Sequence, residues 1–301
     1  SKGSEQAKEE KAESLKSFQQ DMREVEQIDE QIIETLIDYG QNISMDNIQA
    51  ASLLIFERGS LFRQIVSGMT DTTDAADSGD EDTDNTETAD GDAADSEVLR
   101  HTDSFIENLT DAKQAGVSYQ EIISEANKAV GQMLYTGSAE NAAIDVKAAK
   151  ALYKGLSLAG NLAREENYEI PMNIKGEITS VNLKIYHNAS QTGKVAVTFD
   201  TESLGKVAAE FDVTRERISG MIVYENRAGQ TQLAQLEGSV RQELGRSGDR
   251  KTNISLVHAK TVDLNRFGQD RDAKGAADDT KVPTSELYQV SKAFLTALKA
   301  V

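Results

Sequence analysis

Residues 195–224 read VAVTFDTESLGKVAAEFDVTRERISGMIVY, and most of their apolar side chains recur at every second position. This period is typical of β-strands, in which successive side chains point to opposite faces of the sheet. Polar turns around Glu202–Gly205 and around Arg215 divide the stretch into three strands. Because connections this short join neighbouring antiparallel strands, the stretch predicts the centre of an antiparallel meander with one apolar face.

The pattern continues on both sides of this stretch, from Tyr168 to Val262. Two further strands are predicted upstream by alternating apolar residues: Ile170, Met172, Ile174, Val181, Leu183 and Ile185. Downstream, a helix is predicted by Leu233, Leu236, Val240 and Leu244, and a last strand by Ile254 and Leu256. The apolar side of this helix would cover the apolar face of the sheet. We therefore predict an α+β fold, in which residues 168–265 form a small two-layer domain of antiparallel sheet plus helix.

The rest of the chain has a different pattern. Apolar residues spaced by three and four predict an N-terminal helical region in two parts, residues 1–70 and 98–165. Between them, residues 71–97 contain twelve acidic residues and no Lys or Arg. Such a segment cannot bury enough apolar surface to offset its ordering entropy, so we predict a disordered insertion. Residues 266–301 are predicted to form a linker and a C-terminal amphipathic helix.

Composition narrows the classes of partner. The 51 acidic residues exceed the 32 basic ones and give a net charge of -19, which repels phosphate backbones and anionic membrane surfaces. No apolar run approaches the ~18 residues that cross a bilayer. We therefore expect no nucleic-acid partner and no membrane insertion. The chain has no cysteine, which suits the cytoplasm and equally a protein that is exported unfolded and refolds.

The side chains that usually carry chemistry are few and scattered. The histidines are His101, His187 and His258, and none has metal-ligand spacing from another. Asp80, Asp82 and Asp84 repeat the first spacing of an EF-hand loop, but Asn85 and Gly91 stand where that loop needs Gly and Glu. We therefore expect no metal, no cofactor and no enzymatic activity.

A basic cluster follows the predicted covering helix. It consists of Arg241, Arg246, Arg250 and Lys251. Cations are favoured at the C-terminal end of a helix, so the cluster is interpreted as a solvated helix end. The alternative is a docking patch for an acidic partner.

The segment Thr201-Glu202-Ser203-Leu204-Gly205-Lys206-Val207 resembles the C-terminal domain of flagellar hook-length control proteins. That family carries a Pro-Glu-x-Leu-Gly-x-Val pattern between two strands, followed by a strand and a helix that bears Arg and Leu. The residues that fit are Glu202, Leu204, Gly205, Val207, Arg241 and Leu244. Thr201 stands where the family usually has proline.

The resemblance implies a non-enzymatic regulator that contacts the cytoplasmic domain of the flagellar type III export gate. Such a contact switches secretion from hook subunits to filament subunits, and hook components are further expected partners. The implied location is the cytoplasm, with export through the flagellar apparatus as a second possibility. An alternative hypothesis is a structural or adaptor protein that binds its partner through the helical region, from Leu15 to Leu162.

Overall fold

The computed structural model describes residues 30–55, 60–74, 96–136, 146–187, 192–246, 250–267 and 284–301. Within these ranges it contains eight α-helices and one six-stranded sheet. The helices are α1 (Glu30–Asp38), α2 (Met45–Ile55), α3 (Ser60–Asp74), α4 (Glu97–Glu107), α5 (Ala112–Thr136), α6 (Val146–Ala163), α7 (Gln230–Arg246) and α8 (Thr284–Lys299). The strands are β1 (Asn167–Ile174), β2 (Glu177–His187), β3 (Thr192–Thr201), β4 (Gly205–Thr214), β5 (Arg217–Tyr224) and β6 (Lys251–His258). The predicted α+β fold class, with N-terminal helices before a sheet, is confirmed.

The sheet has the strand order β1-β2-β3-β4-β5-β6, so each strand lies beside its neighbour in the chain. Strands β1 to β5 are antiparallel, as a meander requires. Strand β6 is instead parallel to β5, because α7 carries the chain back along the sheet between them. A parallel neighbour needs such a long crossover, whereas a short turn reverses the chain. The sheet is therefore mixed, and its two edges are β1 and β6.

One hydrophobic core joins the N-terminal helices to the sheet. Phe105 of α4, Tyr119 of α5 and Tyr168 of β1 are in mutual ring contact, with centroids 5.3, 5.4 and 5.9 Å apart. Aromatic pairs at such distances favour edge-to-face and tilted geometries, which these three rings adopt. The core therefore continues across residues 165–168, where the change of sequence period suggests a boundary.

Helix α8 packs on the same sheet and contacts β1 to β4. Phe294 meets Phe211 of β4 with ring centroids 5.7 Å apart, and Leu287 lies over Gly193 of β3. A Cβ atom at residue 193 would lie 2.5 Å from Leu287, so the helix can approach this closely only because residue 193 is glycine. The last helix is thus part of the core of its own chain.

The predicted acidic insertion, residues 71–97, lies mostly outside the described residues. At its ends, residues 71–74 form the last turn of α3, and Glu97 is the first residue of α4. An acidic side chain is stabilising at that position because the N-terminus of a helix is positively polarised. The aspartates with partial EF-hand spacing, Asp80, Asp82 and Asp84, fall outside the described residues as well.

The second face of the sheet carries a smaller apolar cluster. Val262 and Leu264, which follow β6, pack against Ala208 of β4 and Val223 of β5. The segment after β6 therefore covers part of the face that the alternating sequence pattern leaves polar.

The edge of the sheet at β1 is capped at one residue by a phenol. The Tyr119 hydroxyl donates to the Glu169 carbonyl oxygen at 2.8 Å, and the Glu169 N–H donates to the same hydroxyl at 3.3 Å. An edge strand otherwise presents N–H and C=O groups to other chains. Burial raises the pKa of Tyr119 well above its ordinary value, so the phenol remains neutral and can both donate and accept.

Replacing this phenol should cost stability. Tyr119→Phe removes the hydroxyl from two buried backbone groups and should lower the free energy of unfolding by about 1–3 kcal/mol. Tyr135→Phe is the matched control, because Tyr135 lies on the same helix and is 87% exposed. It should change stability by less than about 0.5 kcal/mol. Urea denaturation of the full chain measures both, and equal effects would contradict the edge-capping role.

Candidate partner-binding surface

The motif segment forms the tight turn between β3 and β4. Gly205 has a φ of +69°, in the left-handed region that glycine adopts without strain. The Leu204 N–H donates to the Thr201 hydroxyl at 3.0 Å, and Thr201 is 3% exposed. Thr201 thus closes the turn by a side-chain hydrogen bond.

The turn is packed against the segment that leads into α7. The Asn226 side-chain amide donates to the Ser203 carbonyl oxygen at 3.3 Å. A Cβ at Gly229 would lie 3.0 Å from Leu204, which is fully buried, and a Cβ at Gly205 would lie 2.9 Å from Asn226. The turn and the start of the helix therefore fix each other.

The predicted motif residues divide into buried and exposed sets. Leu204, Val207 and Leu244 are at most 3% exposed and belong to the core. Glu202 is exposed, and its N–H donates to Glu177 Oε2 at 2.8 Å. Glu177 also pairs with Arg63 of α3 at 3.0 Å, so the turn is linked to the N-terminal helices. In this turn, Glu202 is the motif side chain that a partner can reach.

The other exposed motif side chain is Arg241, whose side chain is 52% exposed. It donates to the Ile254 carbonyl oxygen of β6 at 2.9 Å and pairs with Glu237. Arg241 lies near the far end of α7 from Gly229, and at about 1.5 Å rise per residue this separates it from the turn by about 18 Å. The structure therefore places the two halves of the predicted motif at different ends of α7.

The predicted basic cluster also includes Arg246, Arg250 and Lys251. Arg246 pairs with Glu243 at 3.5 Å, and Arg250 pairs with Glu286 of α8. Lys251 is exposed at the start of β6 and forms no ion pair in the described part of the chain. Arg246 and Arg250 are thus held in intramolecular ion pairs, whereas Lys251, within the described ranges, is free beside the edge of the sheet.

The histidines lie in separate places and contact different groups. His101 lies 3.9 and 3.8 Å from Glu97 and Glu121, and His258 of β6 stacks edge-on against Tyr224. His187, at the end of β2, is 2.6 Å from Glu166 Oε2. Among the described residues, no group of three or more His, Cys, Asp or Glu side chains is arranged to hold a metal ion.

A polar network around Glu166 joins the strands to α8. The Tyr288 hydroxyl donates to Glu166 Oε1 at 2.8 Å and lies 3.1 Å from the Tyr168 hydroxyl, while His187 holds the other carboxylate oxygen. Glu166 itself has a φ of +56°, which is unusual for a residue with a side chain. Burial raises the pKa of Tyr168 to about 12 and raises that of Tyr288 further. The network holds α8 on the sheet with neutral phenols.

One cavity of about 200 Å³ lies between α4, β1 and the end of α8. It is lined by Leu99, Ile106 and Met172, and Lys299 and Asp103 form an ion pair of 2.6 Å beside it. Pockets for drug-sized ligands usually span about 300–1,000 Å³. The cavity is therefore small for a ligand of that size.

Comparison with protein families, with curated proteins and with solved structures found no match to this chain. Among the described helices, none is both long and apolar enough to span a membrane.

The turn geometry predicts that substitution by alanine has opposite effects on stability at two glycines. Gly205→Ala forces a side chain into a left-handed position and against Asn226, and should lower the free energy of unfolding by at least about 1 kcal/mol. Gly238→Ala is the control, because this residue lies inside α7 with open space around its Cβ position. It should raise stability by about 0.5–1 kcal/mol. Chemical denaturation of the two variants tests this, and stabilisation by Gly205→Ala would contradict the turn.

The raised pKa of the Tyr168 phenol should make the stability of the fold depend on pH. Its folded pKa of about 12 exceeds the ordinary value of 10.0, so its stabilising effect is complete below about pH 10 and is lost as pH rises towards 12. The stability difference between the wild type and Tyr168→Phe should therefore be largest below pH 10 and shrink above it. Urea denaturation at several pH values measures this, with Tyr135→Phe as an exposed control. A difference that grows above pH 10 would contradict the assignment.

Proposed function

We propose that this protein is a non-enzymatic, protein-binding regulator of the hook-length control type, which switches flagellar type III export from hook to filament subunits. The observation that supports this most is the Glu202–Val207 segment. It lies at a turn between neighbouring strands, ahead of a further strand and a helix that carries Arg241 and Leu244. This is the arrangement that the motif has in that family.

The partner in this proposal is the cytoplasmic domain of the export gate. Leu204, Gly205 and Val207 hold the turn, so the contact is assigned to the exposed Glu202 side chain. It lies among mixed charges, since Lys206 is opposite Asp200 in the strand register and Arg63 pairs with Glu177. The proposal places the protein in the cytoplasm at the export apparatus, where hook components pass, whether or not it is exported afterwards.

A second candidate is an adaptor that binds through the helical region. Five large apolar side chains are at least 55% exposed there: Ile37, Ile43, Val117, Tyr135 and Val146. Val117 and Tyr135 lie on the same side of α5, because their separation equals five turns of about 3.6 residues. Exposed apolar side chains favour contact with another protein.

A binding experiment on the full chain tests the first proposal. The wild type should bind the purified cytoplasmic domain of the gate, and Glu202→Lys should weaken binding at least about tenfold, or about 1.4 kcal/mol. Glu216→Lys is the matched control, since Glu216 is an exposed glutamate in the turn at the opposite end of the sheet. Absence of wild-type binding would contradict the proposal.

Two further measurements separate the candidates. In the source organism, loss of the gene and the Glu202→Lys variant should both give long hooks without filaments, and normal motility would contradict the switch. The adaptor alternative instead predicts a partner whose binding survives Glu202→Lys and is lost with Val117→Asp and Tyr135→Asp. Point variants are preferable to deleting residues 168–301, because the helices and the sheet share one core.

A further inference from the structure

Strand β6 leaves one edge of the sheet open. Lys251 N–H donates to the Glu216 carbonyl oxygen, and Ala259 N–H donates to that of Tyr224. In the parallel pair of β5 and β6, every second residue of β6, counted from Lys251, therefore directs its N–H and C=O groups towards β5. The residues between them direct their N–H and C=O groups away from the sheet, and these are Thr252, Ile254, Leu256 and His258.

This edge is nearly uncapped. Among the described residues, the only hydrogen bond to the outward backbone groups of β6 is that from Arg241 to the Ile254 carbonyl oxygen. At β1, Tyr119 pairs with both backbone groups of Glu169. An uncapped edge is a template on which an extended segment adds as a further strand.

Apolar side chains flank the open edge. Val257 of β6 and Met221 of β5 are each 40% exposed on one face of the sheet, and Leu256 is half-buried on the other. An added strand beside β6 would cover Val257 and Leu256. Backbone pairing and apolar contact are therefore both available at this edge.

The charges beside the edge identify the kind of segment. Arg217 and Lys251 are direct partners in the register of β5 and β6, and both are exposed. Like charges opposite each other destabilise a sheet, and neither residue forms an ion pair within the described ranges. Arg215 and Glu216 precede Arg217 and are exposed as well, so three cations stand here against one carboxylate. This concentration of cations, in a chain with net charge -19, would be complemented by carboxylates.

We propose that the open edge of β6 binds an extended acidic segment of a partner protein as a seventh strand. Its backbone pairs with the outward groups of Thr252 and Leu256, its carboxylates lie on the face of Lys251 and Arg217, and its apolar residues cover Leu256 on the opposite face. The inference rests on the sheet edge and its charges, and goes beyond the switching role proposed above.

A peptide probe tests this edge. An eight-residue, end-blocked peptide that alternates Glu and Val should bind the full chain, and its binding should weaken as salt screens the charges. It should slow hydrogen exchange at the Thr252 and Leu256 amides. A matched peptide that alternates Lys and Val should bind at least about tenfold more weakly.

Two sets of variants make the test specific. Leu256→Pro removes an outward N–H and leaves the ladder to β5 intact, so it should reduce binding at least about tenfold. Leu256→Ala is its control, because it loses the same side chain and keeps the N–H. The double variant R217E/K251E, at exposed positions, should favour the Lys-Val peptide and decides the matter if Leu256→Pro does not fold.

Three outcomes would overturn the proposal. The first is that the Glu-Val peptide does not bind or protects amides elsewhere. The second is that both peptides bind equally to the wild type. The third is a dimer in light scattering whose Leu256 amide is already protected, since the occupant would then be a second copy of this chain.

Discussion

The contact between Tyr119 and the edge of β1 is the interaction on which the rest of the architecture depends. It satisfies both outward backbone groups of Glu169 with one buried hydroxyl and brings the Tyr119 ring onto Tyr168. A single side chain thereby caps one residue of the sheet edge and joins the helices to the apolar face of the sheet. Because this contact needs α5 at the first strand, the helices cannot form a separate layer away from the sheet.

The same sheet also receives the last helix. Gly193 allows Leu287 to approach β3, and the Glu166 network holds Tyr288 against Tyr168. Elements from both ends of the described chain thus converge on β1 to β4. The crossover through α7 leaves β6 at the far edge, where neither α5 nor α8 supplies a cap.

The parts of this fold that depend on local pattern could be predicted from the sequence. Alternating apolar residues such as Val195 and Val197 predict the strands, and Gly205 predicts the turn. Each of these patterns can be recognised because it lies within a few residues of sequence. The parallel direction of β6 could not be predicted, since the residues of α7 fit either a cover or a crossover. The contacts among Glu166, His187 and Tyr288 could not be predicted either, because more than one hundred residues separate Glu166 from Tyr288. The aromatic residues that join the helices to β1 have an ordinary helical or strand period, which carries no information about their partners.

Glu202 and the cations Arg217 and Lys251 lie at opposite ends of the sheet. The turn with Glu202 lies at the His258 end of β6, because Val207 pairs with Tyr224 and Tyr224 with His258. Arg217 and Lys251 lie at the opposite end, and the eight residues of β6 separate the two ends by about 23 Å at about 3.3 Å per residue. A group that contacts Glu202 itself is therefore too far away to neutralise these cations. An extended acidic segment bound at β6 neutralises them without covering the turn, so the two surfaces can be occupied independently.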